Sequence, residues 1–268
     1  MNKELHAAIV HGSTALAVKK NAGKTRHTLN EIQERRKEQF YTLLKTFLPV
    51  DFIDRALAEY NRNDAAHLED HAIAVVLNAN DIVDKFPELK WHRRVILTAA
   101  LLHDVRCHVN RDKHHILGAL AVYREYLLAY PETKTMFSEH QITMVEQCVL
   151  EHRASWKHER SHNASECVAA ADRGKPDLYN YMRRAVRFRY AQLPDGVSIT
   201  DSIKHQIIDE SIKHMQEKFG EKGYAWETMP KYTLLMYEAE IRAMKEAVEE
   251  TTAVTHAEAF KRFDGWVV

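Results

Sequence analysis

"LTAALLHDVRCHVNRDKHHILGA", residues 97–119, decides the fold. An apolar run stops abruptly at His103 and Asp104, and ten residues later His114 and His115 stand ahead of Gly118. Burying a carboxylate costs several kcal/mol unless it is paired or coordinates a cation. An aspartate that closes so apolar a helix therefore asks for a compensating positive charge, with exposure at the helix end as the alternative.

The surrounding chain reads as nearly continuous helix. Between Lys24 and Arg173 there is one glycine, Gly118, and three prolines, Pro49, Pro87 and Pro131, all at plausible helix boundaries. Apolar residues recur at spacings of three and four, with no sustained period-2 segment. This pattern predicts an all-α fold. The first helix runs from a capping box at Thr28 and Glu31 to about Phe47. Others are predicted over 51–60, 65–85, 91–104, 113–129, 138–153 and 164–172. Beyond them "YNYMRRAVRFRY", residues 179–190, forms a basic helix interleaved with aromatics. It places Arg183 and Arg187 on one face, with Tyr181, Phe188 and Tyr190 free to pack or to stack on a base. Its expected role is to shield the site or to meet another subunit. Turn signals at 193–198 and a loop near 219–230 bracket amphipathic runs over 201–218 and 231–250.

Composition narrows the function classes. The 268 residues are 45% hydrophobic, enough for a sizeable core. Lys plus Arg equals Asp plus Glu at 38 each, so the overall charge does not call for nucleic acid or an acidic membrane as partner. Cys107, Cys148 and Cys167 are odd in number and lack C-x-x-C spacing, which argues against a disulfide framework or a thiolate zinc site. They suit a reducing compartment, so a cytoplasmic location is expected. The N-terminal residues fit a secretory signal poorly, and no run approaches the roughly 18 apolar residues of a membrane span. Eleven of the 17 histidines fall between His67 and His162, and chemistry is to be sought there.

His67 and His71 in "HLEDHAIAVV" are four apart and share a helix face. His152 ends "VEQCVLEHR" and Asp172 ends "SECVAAAD", so each closes an apolar or amphipathic helix as His103 and Asp104 do. Helices that bury their apolar faces together would bring these ends into one pocket. The donors there are nitrogen and oxygen without sulfur, which suits manganese, iron, cobalt, nickel or zinc more than calcium or magnesium.

The ordered set His71, His103-Asp104 and Asp172 resembles the H...HD...D signature of the HD-domain superfamily of metal-dependent phosphohydrolases. "AALLHD" resembles the family's apolar lead-in, "HHILGA" its H-x-x-x-G-A helix start, "EHR" its later histidine and "AADRGKPD" its closing segment. The similarity covers roughly residues 64 to 180. The glycine that usually follows the HD dipeptide by two is Arg106 here, a departure that blocks transfer of any one subfamily's substrate.

The resemblance implies an HD-domain-like helical bundle over 24–192. A loose N-terminal arm over 1–23 precedes it, and a helical appendix over 193–268 packs on it and sets specificity or oligomerisation, a homo-oligomer being one candidate. It also implies that His71, His103, Asp104 and Asp172 bind one divalent transition metal, with His67 behind His71. His114 and His152 then either complete a second metal site bridged by Asp104 or meet the substrate phosphate. The implied reaction is hydrolysis of a phosphate ester or anhydride, most readily of a nucleotide, by a metal-activated water. Asp104 would orient that water, and His114 or His152 would protonate the leaving oxygen. Arg106, Lys113, His115, Arg153, Lys157, Arg173 and Lys175, with His67, are the candidate substrate contacts, and Arg111 is a further nearby cation. Two alternatives stay open: a di-iron HD-fold oxygenase using the same six residues, and a non-catalytic nucleotide-binding module.

Overall fold

Every residue from Val95 to Leu102 is fully buried, so the helix that carries the quoted stretch is apolar around its whole circumference. Such a helix belongs inside a bundle rather than on its surface. A computed structural model of the chain describes residues 29–64, 67–194, 196–250 and 252–267. The fold is all-α, with no strand among the described residues. In chain order the elements are α1 (Leu29–Leu44), α2 (Val50–Tyr60), α3 (Glu69–Lys85), a 3-10 segment (Pro87–His92), α4 (Arg93–Leu102) and α5 (His114–Ala121). They continue with a π-type turn (Val122–Leu127), α6 (Pro131–Met136), α7 (Glu139–Glu151), α8 (Asn163–Arg173), α9 (Leu178–Tyr190) and α10 (Asp201–Phe219). The last are α11 (Tyr224–Glu227), α12 (Lys231–Glu250) and α13 (Thr252–Val267). The chain divides into units Met1–Glu38 and Gln39–Val268, the second of which carries every element from α2 onward.

Two apolar clusters organise that second unit. The first joins side chains from Phe40 to Ala171 with Tyr232, and α4 packs there against α3, α7 and α8. The second runs from Leu178 to Trp266 and is built from α9, α10, α12 and α13, with Met182, Val186, Ile208 and Phe263 at its centre. Each aliphatic side chain so buried contributes about 1.5–3 kcal/mol. Gly118 sets how closely α5 approaches its neighbours. A methyl group there would lie 3.1 Å from Val149 Cγ1 and 3.7 Å from the carbonyl oxygen of His103, so the bare backbone draws α5 toward both α7 and the end of α4.

Local signals explain several helix ends. Ser138 and Gln141 form a reciprocal capping box at the start of α7. Asp177 and Thr200 accept the first free N–H groups of α9 and α10, and the His162 ring does the same for α8. After α8, Gly174 takes φ +64, a left-handed conformation that turns the chain immediately past Asp172 and Arg173.

Several boundaries differ from the sequence expectation. The helix expected over 113–129 stays α-helical to Ala121 and then widens into the π-type turn, where Leu128 N–H bonds the Tyr123 carbonyl five residues back. That shift lets both Tyr126 and Leu127 reach the core. The helix expected from Trp91 starts at Arg93 after the 3-10 segment, because Pro87 opens that segment instead, and it ends at Leu102. The expected loop near 219–230 contains α11, and α13 lies inside the helical appendix expected over 193–268 but beyond the amphipathic runs drawn at 201–218 and 231–250. Thr28, expected to cap α1, and the expected arm over 1–23 lie outside the described residues. No helix of the described residues is long and apolar enough to cross a membrane.

Candidate metal centre

Three helix C-termini converge at one point. His103 follows the last residue of α4, His152 follows the last residue of α7, and Asp172 is the penultimate residue of α8. The first turn of α3 adds His71 and the first residue of α5 adds His114. A helix C-terminus presents unpaired carbonyls and partial negative charge, so it caps well with an N–H donor and favours a cation beyond it. The histidines use both properties. His103 Nδ1 donates to the Ala100 carbonyl at 2.8 Å and His152 Nδ1 to the Val149 carbonyl at 2.7 Å, each three residues back. His114 Nδ1 donates to the Arg111 carbonyl at 2.6 Å. A carbonyl can only accept, so these three rings carry hydrogen on Nδ1 and, when neutral, aim an Nε2 lone pair at the centre.

The lone pairs meet one another there. His114 Nε2 and His152 Nε2 are 3.1 Å apart, and Asp104 Oδ1 lies 3.0 and 3.4 Å from them. On the other side His71 Nε2 and His103 Nε2 are 3.2 Å apart, with Asp104 Oδ2 at 3.6 and 3.3 Å. Asp172 Oδ1 joins this second group, 3.1 Å from His71 Nε2 and 3.7 Å from His103 Nε2. Two acceptor nitrogens facing each other beside a carboxylate repel unless a positive charge sits among them. The donors thus form two triads that share Asp104, each with its ligand atoms close enough to hold one ion. They are nearly dry: His103 is 0%, His152 2% and Asp104 3% exposed. The donor set fits one or two divalent transition ions, and Nδ1–H bonds to carbonyls are the outer contacts that orient such ligands.

Charge in the ion-free site follows from the same geometry. Burial opposes a charged His103, but Asp104 and Asp172 overcome it and raise the ring to about 9. Burial lowers His71 and His152, which stay neutral. Against the opposing effect of burial, the charge on His103 and hydrogen bonds from three histidines hold Asp104 well below the usual carboxylate range. Asp172 is likewise lowered, through His71 and His103.

Two residues that the sequence did not point to hold this arrangement. Tyr60 Oη, at the end of α2, accepts the backbone N–H of Asp104 at 3.1 Å and lies 3.0 Å from His103 Nδ1. Asn63 donates to the carbonyls of His67 and Asp104, both at 3.1 Å, and accepts the His108 N–H at 2.7 Å. It ties the turn after the HD dipeptide to the entry of α3. Tyr60 ends the apolar stripe Phe52, Ile53, Ala56 and Leu57 and so reads in sequence as a core residue only, while Asn63 belongs to no period or charged run.

The centre opens into a cavity of about 530 Å³. Six basic side chains line it, Arg111, Arg153, Arg173, Arg184, Arg189 and Lys218, while Asp104 and Asp172 are its only carboxylates among the described residues. Of the expected substrate contacts, His67, Arg153 and Arg173 line this cavity. Arg173 is committed to the carbonyls of Ala154, Ala225 and Thr228, and Arg153 bonds the Asp112 carbonyl. Arg106 faces away and pairs with Glu59 and Glu125. His115 does not line the cavity, and burial and Arg153 lower it to about 4. Lys113, Lys157 and Lys175 are exposed, Lys175 pairing with Glu240.

The α9 helix presents Tyr181, Arg184, Ala185, Phe188 and Arg189 to the cavity. Arg183 is exposed beside Asn180, and Arg187 does not line the cavity. The i, i+3, i+4, i+7, i+8 spacing of that stripe was visible in the sequence, but which face turned inward was not. A third group, Asp64, His67 and Cys107, also brings ligand atoms together. Asp64 is engaged by His67 and Arg111, and burial pushes the Cys107 thiol up to about 12, away from the thiolate a metal needs. No family model, curated protein or solved structure matches this chain.

Proposed function

We propose that the protein is a metal-dependent phosphohydrolase of the HD-domain type, cleaving a phosphate ester or anhydride, most readily of a nucleotide. The observation that carries this reading is the pairing of two His/Asp triads through Asp104 with a cavity lined by six basic side chains. His71, His103, Asp104 and Asp172 would hold one divalent transition ion, and His114 and His152 with Asp104 a second. Such ions polarise a phosphoryl oxygen and lower the pKa of water. The chain supplies the rest. Arg111 and Arg153 line the same cavity as Asp104 and would offset charge that develops on the phosphoryl oxygens. The exposed ring of Phe188, which lines the cavity, would offer a face to a base. In a one-ion centre, the Nε2 lone pairs of His114 and His152 would be free to take a proton from the attacking water and hand it to the leaving oxygen.

The basic lining favours an anionic substrate, and phosphate release against oxygen consumption separates this reading from a di-iron oxygenase. Elemental analysis of purified protein, with phosphate release measured over a nucleotide panel, tests it. Metal-loaded protein should release phosphate, and Asp104→Ala should abolish both metal content and turnover. A metal-loaded Asp104→Ala variant with full activity removes the assignment, and oxygen consumption in place of phosphate release favours the oxygenase.

A further inference from the structure

Part of the cavity wall comes from the second apolar cluster, through Ala185, Met215, Phe219 and Met244. Two of its cations, Arg184 on α9 and Lys218 on α10, have neither a carboxylate nor a hydrogen-bond partner among the described residues. The other cavity cations are engaged: Arg111 by Asp64, Arg153 and Arg173 by carbonyls, Arg189 by Glu210. Lys218 is held in place by rings alone, its Nζ 5.1 Å from the Phe219 centroid and 5.8 Å from that of Tyr181. Those two rings stack at 4.7 Å and form a firm floor beneath it.

Like charges crowd together here. Burial, then Arg184 and Arg173, push the Lys218 ammonium down to about 8, with Asp172 opposing. Arg184 is also close enough to His71 to disfavour its proton. Gathering unpaired cations in a half-buried place destabilises the fold unless an anion joins them. Among the described residues the only carboxylates lining this cavity, Asp104 and Asp172, are already turned to the histidines.

Resting on the phosphohydrolase reading, we propose that Arg184 and Lys218 form a second phosphoryl subsite, so that the substrate carries another phosphoryl group besides the one attacked. A cavity of about 530 Å³ accommodates such a polyphosphorylated small molecule. Nucleoside polyphosphates and other bis-phosphorylated metabolites fall in this class, whereas simple monoesters leave the subsite unfilled.

Calorimetric titration of metal-free protein with inorganic orthophosphate and tripolyphosphate provides the test. Wild-type protein should bind tripolyphosphate about tenfold or more tighter than orthophosphate, the size expected of one or two charged hydrogen bonds. Arg184→Gln with Lys218→Gln should erase that preference. Lys218→Arg should keep it, and Arg183→Gln, on the exposed face of the same helix, should leave it unchanged. Thermal unfolding of each variant checks that it folds, and the single variants carry the test if the double variant does not. A preference equal in wild-type and neutralised variants, or no preference in the wild type, overturns the subsite. Wild-type protein that hydrolyses phenyl phosphate yet shows no tripolyphosphate preference would remove this inference and leave the hydrolase standing. A preference lost on neutralisation, without hydrolysis of any phosphate compound, would support the subsite and sink the hydrolase.

Discussion

Replacing Asp104 by Asn keeps the side chain's shape and removes its charge, and the consequences can be worked from the geometry. In the ion-free protein burial would lower His103, but Asp104 at 3.3 Å and Asp172 at 3.7 Å raise it from 6.5 to about 9. That rise corresponds to about 3 kcal/mol at roughly 1.4 kcal/mol per tenfold change. Because the pKa is higher in the fold, this stabilisation is complete below pH 6.5 and disappears as pH rises through about 9. With Asn at position 104 the larger of the two attractions is gone and burial is less opposed. His103 should then titrate near 6.5 or lower. His103 in chelator-treated wild-type protein should therefore contribute a loss of about 3 kcal/mol of unfolding free energy between about pH 6 and about pH 9. The Asn variant should lack that contribution, so the two stability profiles should diverge by about 3 kcal/mol across the range. Urea unfolding at the two ends of the range measures the slope, and NMR titration of the ring measures the pKa. Asp104 is the one residue common to both triads, so metal content should fall at both. A variant that keeps the wild-type metal content, pH slope and His103 titration would refute the reasoning.

Metal affinity should weaken about tenfold for each pH unit below 9 and above 6.5, because the ion must displace the proton on His103. Calorimetry in buffers of different ionisation enthalpy should count about one proton released at neutral pH. Tyr60→Phe leaves the buried Asp104 N–H without its acceptor. It should cost about 1–3 kcal/mol in denaturant unfolding, and a loss under about 0.5 kcal/mol would show that the hydroxyl does not bear on the fold. Asn63→Ala removes three hydrogen bonds around the HD turn and should lower both the unfolding midpoint and metal retention during dialysis. Gly118→Val sets branched carbon against Val149 Cγ1, already 3.1 Å from a bare methyl position. The expected cost is about 1–3 kcal/mol, with α5 and His114 pushed outward.

Legibility tracked how local each cause is. Ser138 and Gln141 announce the start of α7 through their own side chains, and the apolar run before His103 announces a buried helix. By contrast "TTAVTHAEAFKRFDGWVV" has β-branched residues and Gly265, weak helix formers, and becomes α13 because Ala259, Phe263 and Trp266 complete the second cluster. The π-type turn after α5 has the same kind of origin, since the core's claim on Tyr126 and Leu127 outweighs the regular helical repeat. Arg106 and Lys175 looked like substrate contacts because they neighbour the His/Asp residues in sequence. Their pairing with Glu59, Glu125 and Glu240 depends on distant helices.

Residue type and order along the chain determined, without coordinates, that helices dominate and that His71, His103, Asp104, His114, His152 and Asp172 are the imidazoles and carboxylates to watch. Helical periodicity and polar groups at the ends of apolar runs are properties of neighbouring residues, and so they can be read in one dimension. The tertiary structure alone decided that Asp104 faces both histidine pairs, that Tyr60 and Asn63 hold it there, and that Arg184 and Lys218 line the same cavity. Those are distances between residues tens of positions apart, and only the packing of the two apolar clusters sets them.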